Sequence, residues 1–450
     1  MNYTDRLQRV IPGGAHTYSK GFDQFPSNAP QILERGEGVY VYEPGGKKYL
    51  DFGMGLRSVL IGYSENEIDR KAIHYLKLGM NLTRPSLIEL EAAELMVSLI
   101  PGAEMVKFTK NGSTAVSAAV KLARAYTQKN LIAICSDHPF FSYDDWFIAT
   151  TPMSKGIPPE VSLFTKSFRY NDIESLKKLI EIYPNEIACV VLEPQATDCP
   201  AVSDFSAGCC SKMDCSRVSY ESNFLQEVQE VCNKNGIVFI LDEMITGFRW
   251  GLSGAQGAFK VRPDLSTFGK AIANGFPLAC VVGKREIMSL GSIDKIGEER
   301  LFLVSTTHGG DMASFGAFKA MVEFMKREPV VKNVWNFGFN LISAMNKLIL
   351  NHGLQDFIKV MGPACSPKFI TLDQNKNSSF EFRTLFVQEL IKCNILMPWI
   401  SIAYRHSTDL ITDMSDGLDS MLDIYSKALQ SNPRDFVHGD FIKPVFRKFN

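Results

Sequence analysis

Two ionisable residues, Asp242 and Lys270, stand where their side chains could do chemistry together. Asp242 directly follows residues 237–241, an unbroken apolar run of the kind that forms a strand buried on both faces of a parallel sheet. A carboxylate at the end of such a strand is costly to bury unless it meets a cation. Lys270 follows in a segment of mostly small residues flanked by glycines. The pair predicts either pyridoxal 5'-phosphate (PLP) chemistry or an ion pair at the edge of the sheet.

PLP chemistry gives these two residue types separate roles. The lysine amine forms a Schiff base with the cofactor, and the carboxylate keeps the pyridine nitrogen protonated so that the ring accepts electrons. The phosphate of the cofactor needs an anion site, and residues 111–114 (Asn-Gly-Ser-Thr) open an alanine-rich helical pattern. Hydroxyl and N–H groups at a helix N-terminus bind anions, although simple N-capping is the alternative interpretation of this tetrapeptide.

The elements that would position these residues follow an α/β pattern. Apolar runs that predict buried strands alternate with helical patterns through the middle of the chain. This alternation predicts a largely parallel sheet with its ligand site at the carboxyl ends of the strands. We expect residues 1–64 to form a segment with a β-hairpin that joins the small domain. Residues 65–329 should form the large α/β domain that binds PLP, and residues 330–450 a smaller α+β domain.

The composition narrows the class of function. The chain has 450 residues with 48 Lys+Arg and 49 Asp+Glu, so no basic excess favours nucleic acid or an anionic membrane as a partner. The N-terminus lacks an apolar signal core, and we expect a cytoplasmic protein. Four of the ten cysteines, Cys199, Cys209, Cys210 and Cys215, fall in one polar stretch whose spacing fits no paired zinc motif. We interpret that stretch as a surface insertion and expect no metal site.

With these segments placed, the chain resembles the class III PLP-dependent aminotransferases, and within them the glutamate-1-semialdehyde 2,1-aminomutase group. The resemblance covers nearly the whole length. It rests on four segments that occur in order: NGSTA, LDEMITGFR, TFGKAIANG and THGG. It implies the PLP-dependent transferase fold type I, PLP as the cofactor, and a homodimer with shared active sites.

The resemblance also assigns roles to individual residues. Lys270 corresponds to the Schiff-base lysine, which also moves protons between substrate carbons, and Asp242 corresponds to the partner of the pyridine nitrogen. Gly112 and Ser113 correspond to the pair that binds the phosphate at the helix N-terminus. Thr307 corresponds to the threonine that reaches the phosphate from the neighbouring subunit.

Further cofactor contacts follow from the same resemblance. Phe140 falls where the family carries a ring-stacking tyrosine, with an apolar loop anchor as the alternative. Met244 or Ile245 is expected to pack beneath the ring. Glu193 matches a strand-end glutamate of the family, although the residues after it depart from the family's turn. Asp198 is a further residue that could approach the cofactor or the substrate.

The largest departure from the family concerns the substrate. The aminomutases place an arginine for the substrate carboxylate shortly after the first Pro-Gly-Gly segment, residues 12–14 here. In this chain Lys20 aligns with that arginine. A lysine is a point charge without the bidentate fork of arginine. Arg57 adds a cation where the aminomutases carry a small residue, and His16 and Tyr18 could hydrogen-bond a polar substrate. Exposed loop residues and a structural ion pair are the alternatives.

We therefore predict a PLP-dependent aminotransferase that acts on a small-molecule amino donor and a polar keto or aldehyde acceptor, such as a sugar or sugar acid. One alternative is the intramolecular aminomutase that makes 5-aminolevulinate, and another is a PLP-dependent racemase on the same fold. The alternative from another class is a relative that has lost catalysis and serves as a binding module. The presence of both Lys270 and Asp242 argues against that last alternative, because such a protein has no chemical need for either.

Overall fold

The structure is a computed structural model that describes residues 2–195, 199–200 and 223–450. The chain forms two compact units. One combines both ends of the chain, Met1–Glu65 and Lys332–Asn450, and the other is the continuous segment Asn66–Val331. No described helix is long and apolar enough to cross a membrane.

Short strands and longer helices make up both units. The described strands are β1 (Arg35–Glu37), β2 (Tyr40–Tyr42), β3 (Lys48–Asp51), β4 (Met105–Thr109), β5 (Leu131–Cys135), β6 (Thr165–Phe168), β7 (Ile187–Leu192), β8 (Val238–Asp242), β9 (Leu265–Phe268), β10 (Ala279–Gly283), β11 (Ile358–Met361), β12 (Lys368–Thr371) and β13 (Ile395–Leu396). The described helices are α1 (Tyr3–Val10), α2 (Met54–Arg57), α3 (Asn66–Leu76), α4 (Leu87–Leu99), α5 (Gly112–Thr127), α6 (Asp145–Ile148), α7 (Ile173–Ile182), α8 (Phe224–Asn235), α9 (Gly254–Ala258), α10 (Arg285–Met288), α11 (Met312–Arg327), α12 (Val330–Asn351), α13 (Phe380–Lys392), α14 (Asp409–Asp413) and α15 (Ser415–Leu429).

A seven-stranded sheet forms the centre of the Asn66–Val331 unit, in the order β4-β10-β9-β8-β7-β5-β6. Neighbouring strands from β6 through β9 run parallel, and only β10 is antiparallel to its two neighbours. Every residue of β5, β7 and β8 is buried, as expected for apolar runs without alternation. The predicted α/β fold with a mostly parallel sheet is confirmed. Its parallel strands present their carboxyl ends at one edge of the sheet.

The other unit contains a smaller sheet in the order β1-β2-β3-β13, together with the antiparallel pair β11 and β12. Strands β2 and β3 form a β-hairpin around residues 43–47, with Tyr40 opposite Leu50. Strand β13 pairs in parallel with β3 and so brings the two ends of the chain together within this unit.

Helix α2 is a single turn of the left-handed kind. The φ angles of Met54, Gly55, Leu56 and Arg57 are 42°, 56°, 60° and 66°. For L-residues this conformation brings Cβ too close to the following carbonyl oxygen, at a cost of about 1–2 kcal/mol per residue that glycine does not bear. Three of the four residues are not glycine, so neighbouring groups must stabilise the turn.

A buried carboxylate stabilises this turn. Asp51 accepts hydrogen bonds from the N–H groups of Gly53 at 2.7 Å and Met54 at 2.9 Å, and from the Tyr63 hydroxyl at 2.7 Å. The Trp399 indole N–H donates to the carbonyl oxygen of Gly53 at 3.0 Å. These directed bonds fix the backbone on the N-terminal side of the turn, which keeps the strained residues in a single conformation.

Candidate active site

Asp242 ends β8 with a side chain that is almost completely buried. Its Oδ1 accepts hydrogen bonds from the N–H of Met244 and from the Thr267 hydroxyl on β9, both at 3.0 Å. Both of these bonds are made to the same carboxylate oxygen. Burial raises the pKa of Asp242 to about 6, and the positive charge of Lys270 opposes that rise. A second cationic N–H beside Oδ2 would lower the pKa further.

Lys270 follows β9 and begins the short 3-10 turn Lys270–Ala273. Its φ angle is 47°, in the left-handed region that non-glycine residues rarely occupy. Such strained residues cluster at active sites, where the surrounding structure holds them in place. The electrostatic interaction of Lys270 with Asp242 joins the two residues from which the sequence predicts PLP chemistry.

The thioether of Met244 lies between two glycines of the site. A Cβ at Gly112 would stand 2.7 Å from the Met244 Sδ, and one at Gly269 would stand 2.6 Å from the same sulfur. A larger residue at either position would therefore displace the Met244 side chain. Of the two residues expected beneath the ring, Met244 rather than Ile245 makes these close approaches in the described part of the chain. Through Met244, the start of α5 comes next to the residue that precedes Lys270.

The first turn of α5 is the place where the sequence predicts an anion site. Asn111 caps the helix, because its Oδ1 accepts the N–H of Thr114 at 2.9 Å. The N–H groups of Gly112 and Ser113 belong to the first turn, where no intrahelical acceptor exists. Ser113 is buried, and its Oγ accepts the N–H of Tyr143 at 3.1 Å, so the hydroxyl hydrogen stays available for donation.

The loop between β5 and α6 carries Phe140, whose ring is 44% exposed and meets Phe147 edge-on with the ring centroids 5.7 Å apart. The same loop contains a buried histidine that the sequence did not single out. His138 accepts the N–H of Glu193 on its Nδ1 at 3.1 Å, which joins this loop to the end of β7. Burial lowers the pKa of His138 to about 3, so the imidazole is neutral at physiological pH.

Thr307 lies in an exposed loop before α11. The Asn81 side-chain amide donates to the Thr307 carbonyl oxygen at 2.8 Å, and the N–H of Met312 donates to the carbonyl oxygen of Met80 at 3.1 Å. These bonds fix the loop backbone to residues 80 and 81, whereas the Thr307 side chain is accessible in the single chain.

The predicted substrate residues belong to the unit that contains both chain ends. Three of them are exposed: His16, Tyr18 and Lys20. Arg57, on the left-handed turn, donates from Nε to the Ser366 hydroxyl at 3.2 Å. Its guanidinium carbon lies 5.8 Å from the centroid of the Trp399 ring. Arg57 thus has defined surroundings, whereas Lys20 makes no ion pair with a described residue.

Several predicted residues lie outside the described part of the chain, namely Asp198, Cys209, Cys210 and Cys215. Cys199, which is described, is buried. Within residues 2–195, 199–200 and 223–450 there is no cluster of three or more histidine, cysteine or acidic side chains that could hold a metal ion.

Comparisons with known proteins agree with this fold. The sequence pattern of the family Aminotransferase class-III matches residues 23–389. The glutamate-1-semialdehyde 2,1-aminomutase of Wigglesworthia glossinidia brevipalpis is 30% identical over 86% of this chain and 88% of its own length. The 3-aminobutyryl-CoA aminotransferase of Cloacimonas acidaminovorans is 29% identical over 91% and 93% of the two chains. A solved structure of a transaminase with PLP bound covers 95% of this chain and 98% of its own, with a TM-score of 0.82 and 21% identity. The resemblance found in the sequence is therefore confirmed: the chain belongs to the class-III aminotransferase family of PLP-dependent enzymes.

Proposed function

We propose that this aminotransferase moves an amino group between a small-molecule donor and a polar keto or aldehyde compound that carries an anionic group, such as a sugar acid. Arg57 is the observation that carries this proposal. Its guanidinium is positioned by Ser366 and Trp399 on a turn of strained residues. Strain of this kind is retained where a site needs it, and arginine is the side chain best suited to bind a carboxylate or phosphate in two places at once.

The residues of the Asn66–Val331 unit fit the separate parts of PLP. The first-turn N–H groups of Gly112 and Ser113 would hold the phosphate, and Asp242 Oδ2 would accept the N–H of the pyridine ring. The Met244 thioether and the exposed ring of Phe140 offer apolar contacts for the two faces of the ring. PLP supplies an aldehyde that condenses with amines and a ring that stabilises a carbanion.

The side chains of the protein then have the following tasks. Lys270 Nζ would be the group that holds the cofactor aldehyde, and as a free amine it would take a proton from one substrate carbon and return it to another atom. An ionised Asp242 carboxylate would hold a proton on the ring nitrogen, because the negative charge stabilises the cationic N–H. The bonds from Met244 and Thr267 to Oδ1 hold the carboxylate in one orientation, in which Oδ2 would be the oxygen that faces the cofactor. Burial excludes water from the Asp242 carboxylate and strengthens its attraction to Lys270.

We extend the proposal to a homodimer in which Thr307 reaches the phosphate of the neighbouring subunit. Its side chain is exposed and its loop backbone is fixed, as expected of a residue that contacts a second subunit. Thr307→Val should then weaken both dimerisation and PLP retention, because a cofactor that binds only the dimer stabilises it by mass action. The adjacent exposed Thr306→Val is the matched control. A monomer with full PLP affinity, detected by sedimentation, contradicts the shared site.

Spectral titration of the purified holoenzyme tests the substrate assignment. The panel contains amino acids, amino sugars and aminated sugar acids, and conversion of bound PLP to its amine form identifies the donor. Conversion by a donor with an anionic group, together with its loss on Arg57→Ala, supports the proposal. Conversion only by uncharged amines contradicts it.

The intramolecular aminomutase is the second candidate, favoured by the 30% identity to the Wigglesworthia enzyme. It predicts that glutamate-1-semialdehyde gives 5-aminolevulinate with no added donor. Against it stands Lys20, which lacks the bidentate fork expected for the substrate carboxylate. Efficient turnover of glutamate-1-semialdehyde by the unmodified protein would replace our proposal with this candidate.

A further inference from the structure

The loop that carries Phe140 is attached to the first two turns of α5 through hydroxyl groups. The Ser142 and Ser117 hydroxyls lie 3.0 Å apart, and the indole N–H of Trp146 donates to Ser117 at 2.9 Å. The N–H of Tyr143 donates to Ser113 at 3.1 Å, as described above. The conformation of this loop is therefore tied to the helix end that offers the phosphate site.

These attachments bring the Tyr143 phenol to the N-terminus of α5. Its hydroxyl lies 3.1 Å from the Thr114 Oγ1. Thr114 in turn lies 3.0 Å from the Asn111 Oδ1, which can only accept, so the threonine hydrogen is donated to Asn111. It follows that the Tyr143 hydroxyl donates its hydrogen to Thr114. The phenol thus has one hydrogen to donate, which Thr114 accepts here, and the residue is 57% exposed beside the first turn of the helix.

We propose that Tyr143 is a further cofactor-binding residue, whose hydroxyl donates a hydrogen bond to a phosphate oxygen of PLP. This inference rests on the proposed phosphate site at Gly112 and Ser113. Two features support it. Thr114 belongs to the same first turn, so a group within hydrogen-bond reach of its side chain is adjacent to those N–H groups. In addition, a donor bonded only to a neutral hydroxyl gains strength when it is redirected to a dianion.

The Tyr143 hydroxyl is not needed to hold the loop in place, so its role toward the cofactor can be tested separately. The loop is held through the backbone N–H of Tyr143 and through Ser142 and Trp146, none of which needs the phenol oxygen. Tyr143→Phe therefore removes the proposed phosphate contact while it retains the ring and the attachment of the loop. Tyr126→Phe is the matched control, because Tyr126 is 43% exposed and lies at the other end of the same helix.

Binding of PLP and of pyridoxal, which lacks the phosphate, to the cofactor-free protein tests the proposal without any amino donor, so the result is independent of the substrate assignment. We expect Tyr143→Phe to raise the Kd of PLP about tenfold, the scale of one hydrogen bond to a charged group, and to leave the Kd of pyridoxal unchanged. Tyr126→Phe should change neither. We also expect the phosphorus NMR signal of bound PLP to shift in Tyr143→Phe alone. An unchanged Kd of PLP, or an equal loss of affinity for pyridoxal, overturns the proposal.

Discussion

Replacement of Asp242 by asparagine should have opposite effects on the stability of the cofactor-free protein and on the activity of the holoenzyme. The asparagine carbonyl can keep the two hydrogen bonds that Oδ1 accepts from Met244 and Thr267. Its amide nitrogen takes the place of Oδ2 and can only donate, so it cannot accept the N–H of the pyridine ring. The change therefore leaves the packing intact and removes one interaction with the cofactor.

The stability of the cofactor-free protein should rise in this variant. The pKa of Asp242 is raised from 3.8 to about 6, and two pKa units correspond to about 3 kcal/mol. Because the folded pKa exceeds the unfolded one, the stabilising contribution of Asp242 is complete below the unfolded pKa and is lost as the pH rises through the folded pKa. Above that pH the ionised carboxylate opposes folding, and asparagine removes this cost. Urea unfolding of both cofactor-free proteins, below and above the folded pKa, measures the difference.

Activity should change in the opposite direction. Loss of one preorganised electrostatic contact lowers kcat by about 100- to 1000-fold, or about 3–4 kcal/mol in the barrier. Single-turnover kinetics with the best donor of the panel measures this step. A kcat within about threefold of the wild type, at saturating PLP, would refute the role of Asp242. A cofactor-free Asp242→Asn protein that is less stable than the wild type above the folded pKa would refute the assigned cost of burial.

Three further outcomes are expected. Lys270→Ala should bind PLP without a covalent bond and lose at least about 100-fold in kcat, and borohydride reduction of the wild type should label Lys270 and no other lysine in peptide maps. Gly112→Ala should destabilise the holoenzyme by about 1–3 kcal/mol in thermal unfolding, because its Cβ meets Met244, and adding Met244→Ala should restore most of the loss. Arg57→Ala should raise KM for the anionic substrate about tenfold or more and leave PLP absorbance unchanged, whereas equal effects on charged and uncharged substrates would indicate a structural role.

The sequence alone singles out those residues of the candidate site that depend on strand ends and glycines. Asp242 could be found because an apolar strand makes a terminal carboxylate conspicuous, and Lys270 because its segment is short and glycine-flanked. Tyr143 and His138 could not, because their partners Ser113 and Glu193 are distant in sequence and meet only through the path of one loop. Local sequence patterns do not indicate which distant residues a loop will contact, so the roles of polar loop residues cannot be assigned until the backbone is known.

The left-handed turn is even harder to predict from sequence, since Gly55 is the one residue of the turn that readily adopts a positive φ. Methionine, leucine and arginine have no preference for this region of φ, so no propensity argument identifies it. The buried Asp51 that stabilises it is a strand-end acid like Asp242, and the sequence alone does not say which of the two serves the backbone and which serves a ligand.

The same turn has a consequence for laboratory evolution of this enzyme. Saturation libraries usually treat all nineteen replacements at a position as equal starting points, but at Arg57 the backbone ranks them beforehand. Glycine, asparagine and aspartate accept a φ near 66°, whereas valine, isoleucine and threonine oppose it. A codon set that omits the β-branched residues would therefore sample altered specificity with fewer unfolded clones. Clones that do acquire a β-branched residue at 57 should carry a second, stabilising change elsewhere in the chain.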